Sequence, residues 1–319
     1  MESEIIRSPF FYVGDKYKLI KEIKPYFPDH ISKFIEPFAG GGSVFLNTAA
    51  ESYFLNDINY YVYKLHTYLA EQAGTQELFF EKAESLILEY GLSRSYKEDI
   101  VPKEVKQRWK KTFYARFNKN SFDRLKKDFN ATDKSDMLHL YMLMIYGFNR
   151  MIRFNSSGNY NIPCGNVDFN KNVVDSLRSY FSIVSKKNIQ WYNLDYRDFV
   201  NRLDLSPADF LYFDPPYLIT FSEYNKLWNE ENEVGFIKYL SELNTRGLNF
   251  AVSNVVVYKG KENAIFHEWA KKFNIMPVKS NYISYHDNTR KSFEEILVTN
   301  YNKTDLWYTI YPLVLIQLF

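Results

Sequence analysis

At 319 residues the chain can hold one large or two ordinary domains with a sizeable core, and 46% hydrophobic residues exclude a disordered protein. A net charge of +2 does not announce nucleic acid, so any basic interface must be local. The single cysteine, Cys164, excludes a disulfide framework and a Cys-rich zinc site and fits a reducing cytosol.

In chain order, the acid-bearing start Met1–Phe11 has no apolar segment of signal-peptide type, so a cytoplasmic protein is expected. Residues 5–30 read as a loop through Phe10-Phe11-Tyr12-Val13-Gly14-Asp15-Lys16, then a short helix. Lys33 to Leu46 reads as strand, glycine turn and helix, and Ser52 to Asp57 as a second strand ending in an acid. A helical pattern runs from about 60 to 150, interrupted near 91–103 where Gly91 and Pro102 act as breakers. Residues 97–128 carry eleven Lys/Arg against five Asp/Glu, with Trp109, Phe113, Phe117 and Phe122 interleaved. That pattern reads either as a nucleic-acid patch or as a solvated face.

Ser156-Ser157-Gly158-Asn159 between two β-prone runs signals a hairpin. From about 188 strands and helices alternate again: strands at Ile189–Tyr192, Phe210–Phe213, Asn249–Ser253, Ile275–Lys279 and Glu295–Thr299, helices near 233–246 and 262–273. The apolar Leu306–Phe319 is too short to span a membrane, and no membrane partner is expected. This alternation predicts an α/β fold with a doubly wound, mostly parallel sheet, interrupted by a helical, hairpin-bearing insertion.

Two motifs carry the chemistry. Leu211-Tyr212-Phe213 runs into Asp214-Pro215-Pro216-Tyr217. Consecutive prolines cannot continue a strand, so Asp214 is read as the last residue of a buried strand, with a stiff loop after it. Ligands bind at that edge of open α/β sheets. The Asp214 carboxylate and Pro215 carbonyl suit the two N–H groups of an exocyclic amine, and the Tyr217 ring suits stacking on a base. The second motif is Pro37-Phe38-Ala39-Gly40-Gly41-Gly42. A P-loop is excluded because no Lys follows the glycines. A dinucleotide fingerprint fails because Phe45 stands where a third glycine belongs. What remains is a turn that merely packs helix on strand, or a site for a nucleoside without a diphosphate, such as S-adenosylmethionine. Asp57, ending the next strand, favours the second reading.

Together these residues resemble the Dam-type, D12 class DNA adenine-N6 methyltransferases. Their motif order of aromatic-Gly-Lys segment, glycine motif, inserted recognition domain and Asp-Pro-Pro-Tyr runs here over roughly residues 8–300. Glu36 to Phe45 is closely similar to the family's cofactor motif. The resemblance implies a class I methyltransferase fold, with a catalytic domain at 1–61 and 188–301, a target-recognition domain at 62–187 carrying the hairpin, and an unassigned tail at 302–319. It places Tyr12, Lys16, Pro37, Phe38, Ala39, Gly40, Gly41, Gly42, Asp57, Asp195, Tyr196 and Asp214 at the cofactor, and Asp214, Pro215, Pro216 and Tyr217 at the catalytic centre. It places Phe148, Arg150, Met151, Arg153, Asn155 and Pro163 on DNA, with Arg153 reading a guanine edge and Phe148 inserted into the base stack. Tyr12 and Asp15 depart from the family's usual tryptophan and glycine, and Arg150 stands where close relatives carry a small residue. No metal is expected.

The implied activity is methyl transfer from S-adenosylmethionine to N6 of an adenine flipped out of double-stranded DNA, in a prokaryotic or phage restriction–modification setting with a cognate restriction endonuclease as a further partner. The competing readings are N4-cytosine or RNA adenine methylation and a non-catalytic DNA-binding module. An acid before the two prolines is the family's adenine form, where cytosine enzymes commonly carry serine.

Overall fold

The sheet forms where the sequence alternates strand with helix. Its strands are β1 (Lys33–Glu36), β2 (Ser52–Asn56), β3 (Ile189–Tyr192), β4 (Phe210–Phe213), β5 (Asn249–Tyr258), β6 (Lys261–Glu262), β7 (Asn274–Val278) and β8 (Phe293–Thr299). This computed structural model describes residues 4–12, 14–220, 228–278 and 293–303, and Leu306–Phe319 falls outside them.

The order is β3-β2-β1-β4-β5-β8-β7, with β6 pairing β5. Neighbours from β3 to β5 run parallel, while β8 pairs antiparallel with both β5 and β7. The fold is therefore the expected α/β type, a mixed and mostly parallel sheet with flanking helices. β5 runs five residues past the expected Ser253, because β8 gives its far end a partner. The strand order reverses between β1 and β4, and the C-terminal ends of strands at such a reversal border a ligand crevice.

All four residues of β4 are buried because both sheet faces are covered. Successive side chains alternate faces. Leu211 and Phe213 join Ile35, Val252, Phe236 and Leu240 in one core. Phe210 and Tyr212 instead meet Phe27, with ring centroids 4.9 and 5.4 Å apart. Burying each such side chain contributes roughly 1.5–3 kcal/mol. Helices Tyr196–Asn201, Glu230–Thr245 and Ala264–Ala270 bury Phe199, Leu243 and Trp269 in the same core as Leu211.

The chain divides into two compact units. The sheet unit comprises Lys18–Ala39, Asn47–Ile58 and Asn188–Phe319, and the helical unit comprises Met1–Tyr17, Gly40–Leu46 and Asn59–Lys187. Within the helical unit, helix Met137–Tyr146 is buried on every side from Leu140 onward, as its unbroken apolar run requires. Gly91 ends helix Gln76–Tyr90 at φ 69°, a left-handed C-cap that glycine adopts without a Cβ penalty. Pro102 starts helix Lys103–Arg108, so both breakers act as read. Phe122 is fully buried and belongs to the core rather than to any stacking surface.

Candidate active site

The strand ends of the sheet unit are tied together by side-chain amides. Asn56, the buried last residue of β2, donates through Nδ2 to the carbonyls of Pro37 (2.9 Å) and Leu194 (3.0 Å). Its Oδ1 accepts the Leu194 N–H at 2.9 Å, and its carbonyl accepts the Ala39 N–H at 2.9 Å. Asn193 Nδ2 donates to the Asp57 and Ile58 carbonyls at 2.8 and 3.0 Å. The loops carrying Pro37–Ala39, Asp57 and Asp195 therefore share one hydrogen-bond net. Asp195 is exposed and caps helix Tyr196–Asn201, accepting the Arg197 N–H at 2.9 Å. Phe38 lies 5.3 Å from the Tyr196 ring and 6.2 Å from that of Trp228, which closes a wall of three aromatic rings. Trp228 is fixed by its indole N–H, which donates to Glu233 at 2.5 Å. Glu233 also accepts from Asn263 (2.7 Å) and Asn254 (3.2 Å), and burial raises its carboxyl pKa against those three donors.

The strand β4 ends at Phe213, so Asp214 is the first residue beyond it, a correction to the sequence reading. Pro216 and Pro215 supply no ladder donor, and the sheet pairing stops one residue earlier than expected. Tyr217 turns its hydroxyl onto Asp214 Oδ1 at 2.7 Å, and the same oxygen lies 3.3 Å from Oε1 of the buried Glu295 on β8. One phenol thus links the acid after β4 to an acid on β8, which fixes the ring as well as the carboxylate.

In the helical unit the glycine turn is held from two sides. Ser8 Oγ donates to the Gly41 carbonyl. His66, fully buried, places Nε2 2.9 Å from the Gly40 carbonyl and Nδ1 3.2 Å from the Tyr180 hydroxyl. Burial lowers its pKa from 6.5 to about 3, so the ring is neutral. A carbonyl only accepts, so Nε2 carries the proton and Nδ1 accepts from Tyr180. Phe10 stacks on the His66 ring, centroids 4.0 Å apart. A Cβ on Gly41 would lie 2.8 Å from Tyr12 Cβ, and one on Gly42 (φ +77°) would lie 2.3 Å from the Phe45 ring. The turn therefore needs glycine for close packing as well as for its backbone angles. Lys16 is buried nearby in sequence, and burial raises the Asp15 carboxyl pKa, partly offset by Ser43 and by the Tyr17 N–H.

The hairpin also lies in the helical unit. It closes through two isolated bridges, Gly147 with Cys164 and Phe154 with Tyr160, rather than through the two short strands expected. The reason is its tip: Asn155 Oδ1 accepts the N–H groups of Ser157 (3.0 Å) and Asn159 (2.9 Å), a side-chain turn that competes with ladder pairing. Phe148 is 52% exposed, which removes core packing as its role. Arg153 Nε donates to Asn161 Oδ1 at 2.8 Å, and Met151 is half-buried. Asn155 and Pro163 are exposed. Arg150 lies 3.7 Å from the Phe11 ring centroid.

Asn56, Asn193, His66, Trp228, Glu233 and Glu295 escaped the sequence reading. Asn56 alone left a signal, as an amide next to Asp57, which lies one residue beyond β2 rather than ending the strand as expected. A histidine inside a helical repeat reads as ordinary core, and the Glu295 contact joins residues far apart in the chain.

The family model described as D12 class N6 adenine-specific DNA methyltransferase matches residues 12–284. The chain is 35% identical over 305 residues to the type II methyltransferase M.FokI of Planomicrobium okeanokoites, covering 93% of this chain and 43% of that protein. It is 31% identical over 307 residues to the modification methylase StsI of Streptococcus sanguinis, covering 93% and 43%. It is 26% identical over 299 residues to the DNA adenine methylase of Salmonella typhi, covering 90% and 92%. The chain thus spans less than half the length of the first two relatives. Among the described residues no helix is long and apolar enough to cross a membrane, and no group of three or more His, Cys, Asp or Glu is placed to hold a metal.

Proposed function

This chain belongs to the D12 class of N6 adenine-specific DNA methyltransferases, and from that premise we propose that it methylates N6 of an adenine turned out of double-stranded DNA, using S-adenosylmethionine. The observation that carries the reading is the Asp214–Tyr217 pair beyond β4, at the strand-order reversal, with carboxylate and ring fixed to one another.

The residues fit the cofactor by chemistry. The Phe38 and Tyr196 rings suit its adenine, Asp57 and Asp195 suit its ribose hydroxyls and ammonium group, and Gly40 to Gly42 are assigned to it by their place in the family's glycine motif. Tyr12, Lys16, Pro37 and Ala39 are assigned to the same site by their place in the family motifs. When bound, the sulfonium supplies an electrophilic methyl group.

Asp214 and the Pro215 carbonyl accept the two N–H groups of the adenine amine. Holding both protons favours a pyramidal nitrogen, and so frees a lone pair that otherwise delocalises into the purine. Tyr217 stacks on the extruded base, a contact worth about 1–3 kcal/mol, which offsets the few kcal/mol that flipping costs. Pro216 stiffens the loop. Transfer is direct and needs no covalent enzyme intermediate, because the amine lone pair attacks the methyl carbon in line and displaces the neutral thioether. Asp214 is an acceptor rather than a strong base, since the amine becomes acidic only after transfer. Positioning contributes most of the rate, in favourable systems up to roughly 7–11 kcal/mol.

The region 62–187 serves as the target-recognition domain, with Phe148 inserted into the stack, Arg153 on a guanine edge, and Met151, Asn155 and Pro163 along the DNA. A restriction endonuclease of the same specificity and a cytoplasmic location complete the proposal. The test is labelled methyl transfer into DNA followed by nucleoside chromatography. N6-methyladenine is expected, N4-methylcytosine or labelled RNA would replace this reading, and no incorporation would leave a binding module.

A further inference from the structure

A cavity of about 520 Å³ in the helical unit is lined by two arginines, Arg7 and Arg150, together with Phe11, Phe148 and Asn149. Both guanidiniums lie over the Phe11 ring, 4.5 Å from its centroid for Arg7 and 3.7 Å for Arg150. Arg150 is reached through two consecutive left-handed residues, Asn149 and Arg150 itself, each at φ 53°. Non-glycine residues hold that conformation at a cost of order 1–3 kcal/mol each, and such strain concentrates at ligand sites.

Among the described residues neither guanidinium meets a carboxylate within 4 Å. The acid whose charge reaches Arg150 is Asp168, and its two oxygens are taken by the Ser95 N–H (2.6 Å) and hydroxyl (2.9 Å). The other groups acting on Arg150 are the neutral phenol of Tyr141 and the like charge of Arg7. Burial lowers the Arg150 pKa to about 10, so it stays charged at neutral pH. Two cations thus share one ring and one cavity and repel each other, and among the described residues the acids acting on them, Asp15 on Arg7 and Asp168 on Arg150, do so from beyond ion-pair distance. A hydrated monovalent ion relieves that arrangement poorly. A phosphodiester, whose two non-bridging oxygens can each accept from a planar guanidinium fork, relieves it well. Asn166, also on the cavity wall, accepts the N–H groups of Tyr114 and Ala115 and donates to the Lys111 carbonyl at 2.7 Å. Asn166 thus ties the cavity wall to the exposed Lys110–Lys111 edge of the basic segment.

We propose that Arg7 and Arg150, splinted by Phe11, clamp one backbone phosphate of bound duplex DNA beside the exposed Phe148. The clamp rests on the DNA methyltransferase reading above. It makes Arg150 a sequence-independent anchor rather than a base reader.

The test uses the full chain and a fluorescent 20-base-pair random-sequence duplex as probe, titrated between 50 and 200 mM salt. Releasing one phosphate contact should reduce the slope of log affinity against log salt by about 0.9, so affinity falls about 3.5-fold less over that range. Arg150→Met and Arg7→Met should each reduce the slope by up to this amount, since the remaining arginine still faces the phosphate, and Arg150→Lys should keep the wild-type slope. Sequencing of methylated positions in genomic DNA should give the same methylated motif for Arg150→Met and wild type. An unchanged slope in both methionine variants overturns the clamp, as does a relaxed motif with an unchanged slope, which would make Arg150 a base reader. If Arg150→Met loses its cooperative melting transition, Arg7→Met decides the outcome. Absence of methyl transfer by the wild type would count against the methyltransferase reading and leave the slope comparison intact.

Discussion

A single phenol hydroxyl sets the residue-scale chemistry of the candidate site. Tyr217 touches Asp214 and Glu295 at 2.7 and 3.3 Å, so ring and carboxylate respond separately to substitution. Asp214→Ala should abolish labelled-methyl incorporation into DNA while thermal unfolding stays cooperative, and wild-type incorporation would remove Asp214 from the mechanism. Tyr217→Phe keeps the stacking face and loses the tether, so it should retain more activity than Tyr217→Ala, which forfeits about 1–3 kcal/mol of base stacking. His66 gives a pH prediction. Its folded pKa, about 3, lies below the ordinary 6.5, so the unfolded chain binds an extra proton between those values. Stability is full above pH 6.5 and falls by about 1.4 kcal/mol per pH unit as pH drops toward 3. Urea midpoints measured from pH 7 to 5 should show that slope in the wild type and lack its His66 part in His66→Gln.

The elements were largely legible because each carries its own periodicity. Phe210–Phe213 reads as a strand from four consecutive apolar residues, and the glycine turn from three glycines between strand and helix. What sequence could not supply is who ties one element to another. Asn155 looked like a hairpin residue and proves to organise the tip with its own side chain, which is why the flanking runs do not become strands. Glu233, at the start of the helix expected near 233–246, proves fully buried against Trp228, Asn254 and Asn263. Glu233→Gln would aim an amide N–H at one of those three donors. It should destabilise the sheet unit by about 1–3 kcal/mol in urea unfolding, the cost of a buried donor left unmatched.

For the whole molecule, the near-zero net charge hides an uneven distribution. The basic segment 97–128 spends part of its charge internally: Lys97 on Glu84, Lys106 on Asp99, and Lys119 and Lys126 on Asp123. Arg108 and Arg116 lie over the Trp109 ring. Lys103, Lys110 and Lys111 are exposed and meet no acid within 4 Å among the described residues. Replacing these three with Gln should flatten the salt dependence of DNA binding by up to about 0.9 per phosphate released. An unaltered slope would identify the segment as a solvated surface. The composition signalled that segment, and the structure shows which of its charges are already spent.

The amide of Asn56 grips the carbonyls after β1 and β3 with both of its hydrogens. It therefore acts as a rivet, and the strand-end loops that carry Phe38 and Asp195 can shift only together. Enlarging the proposed cofactor site for a bulkier sulfonium analogue by widening that rim would break two bonds before any room was gained. Trimming Trp228, whose indole N–H bonds Glu233 rather than Asn56, leaves the rivet intact.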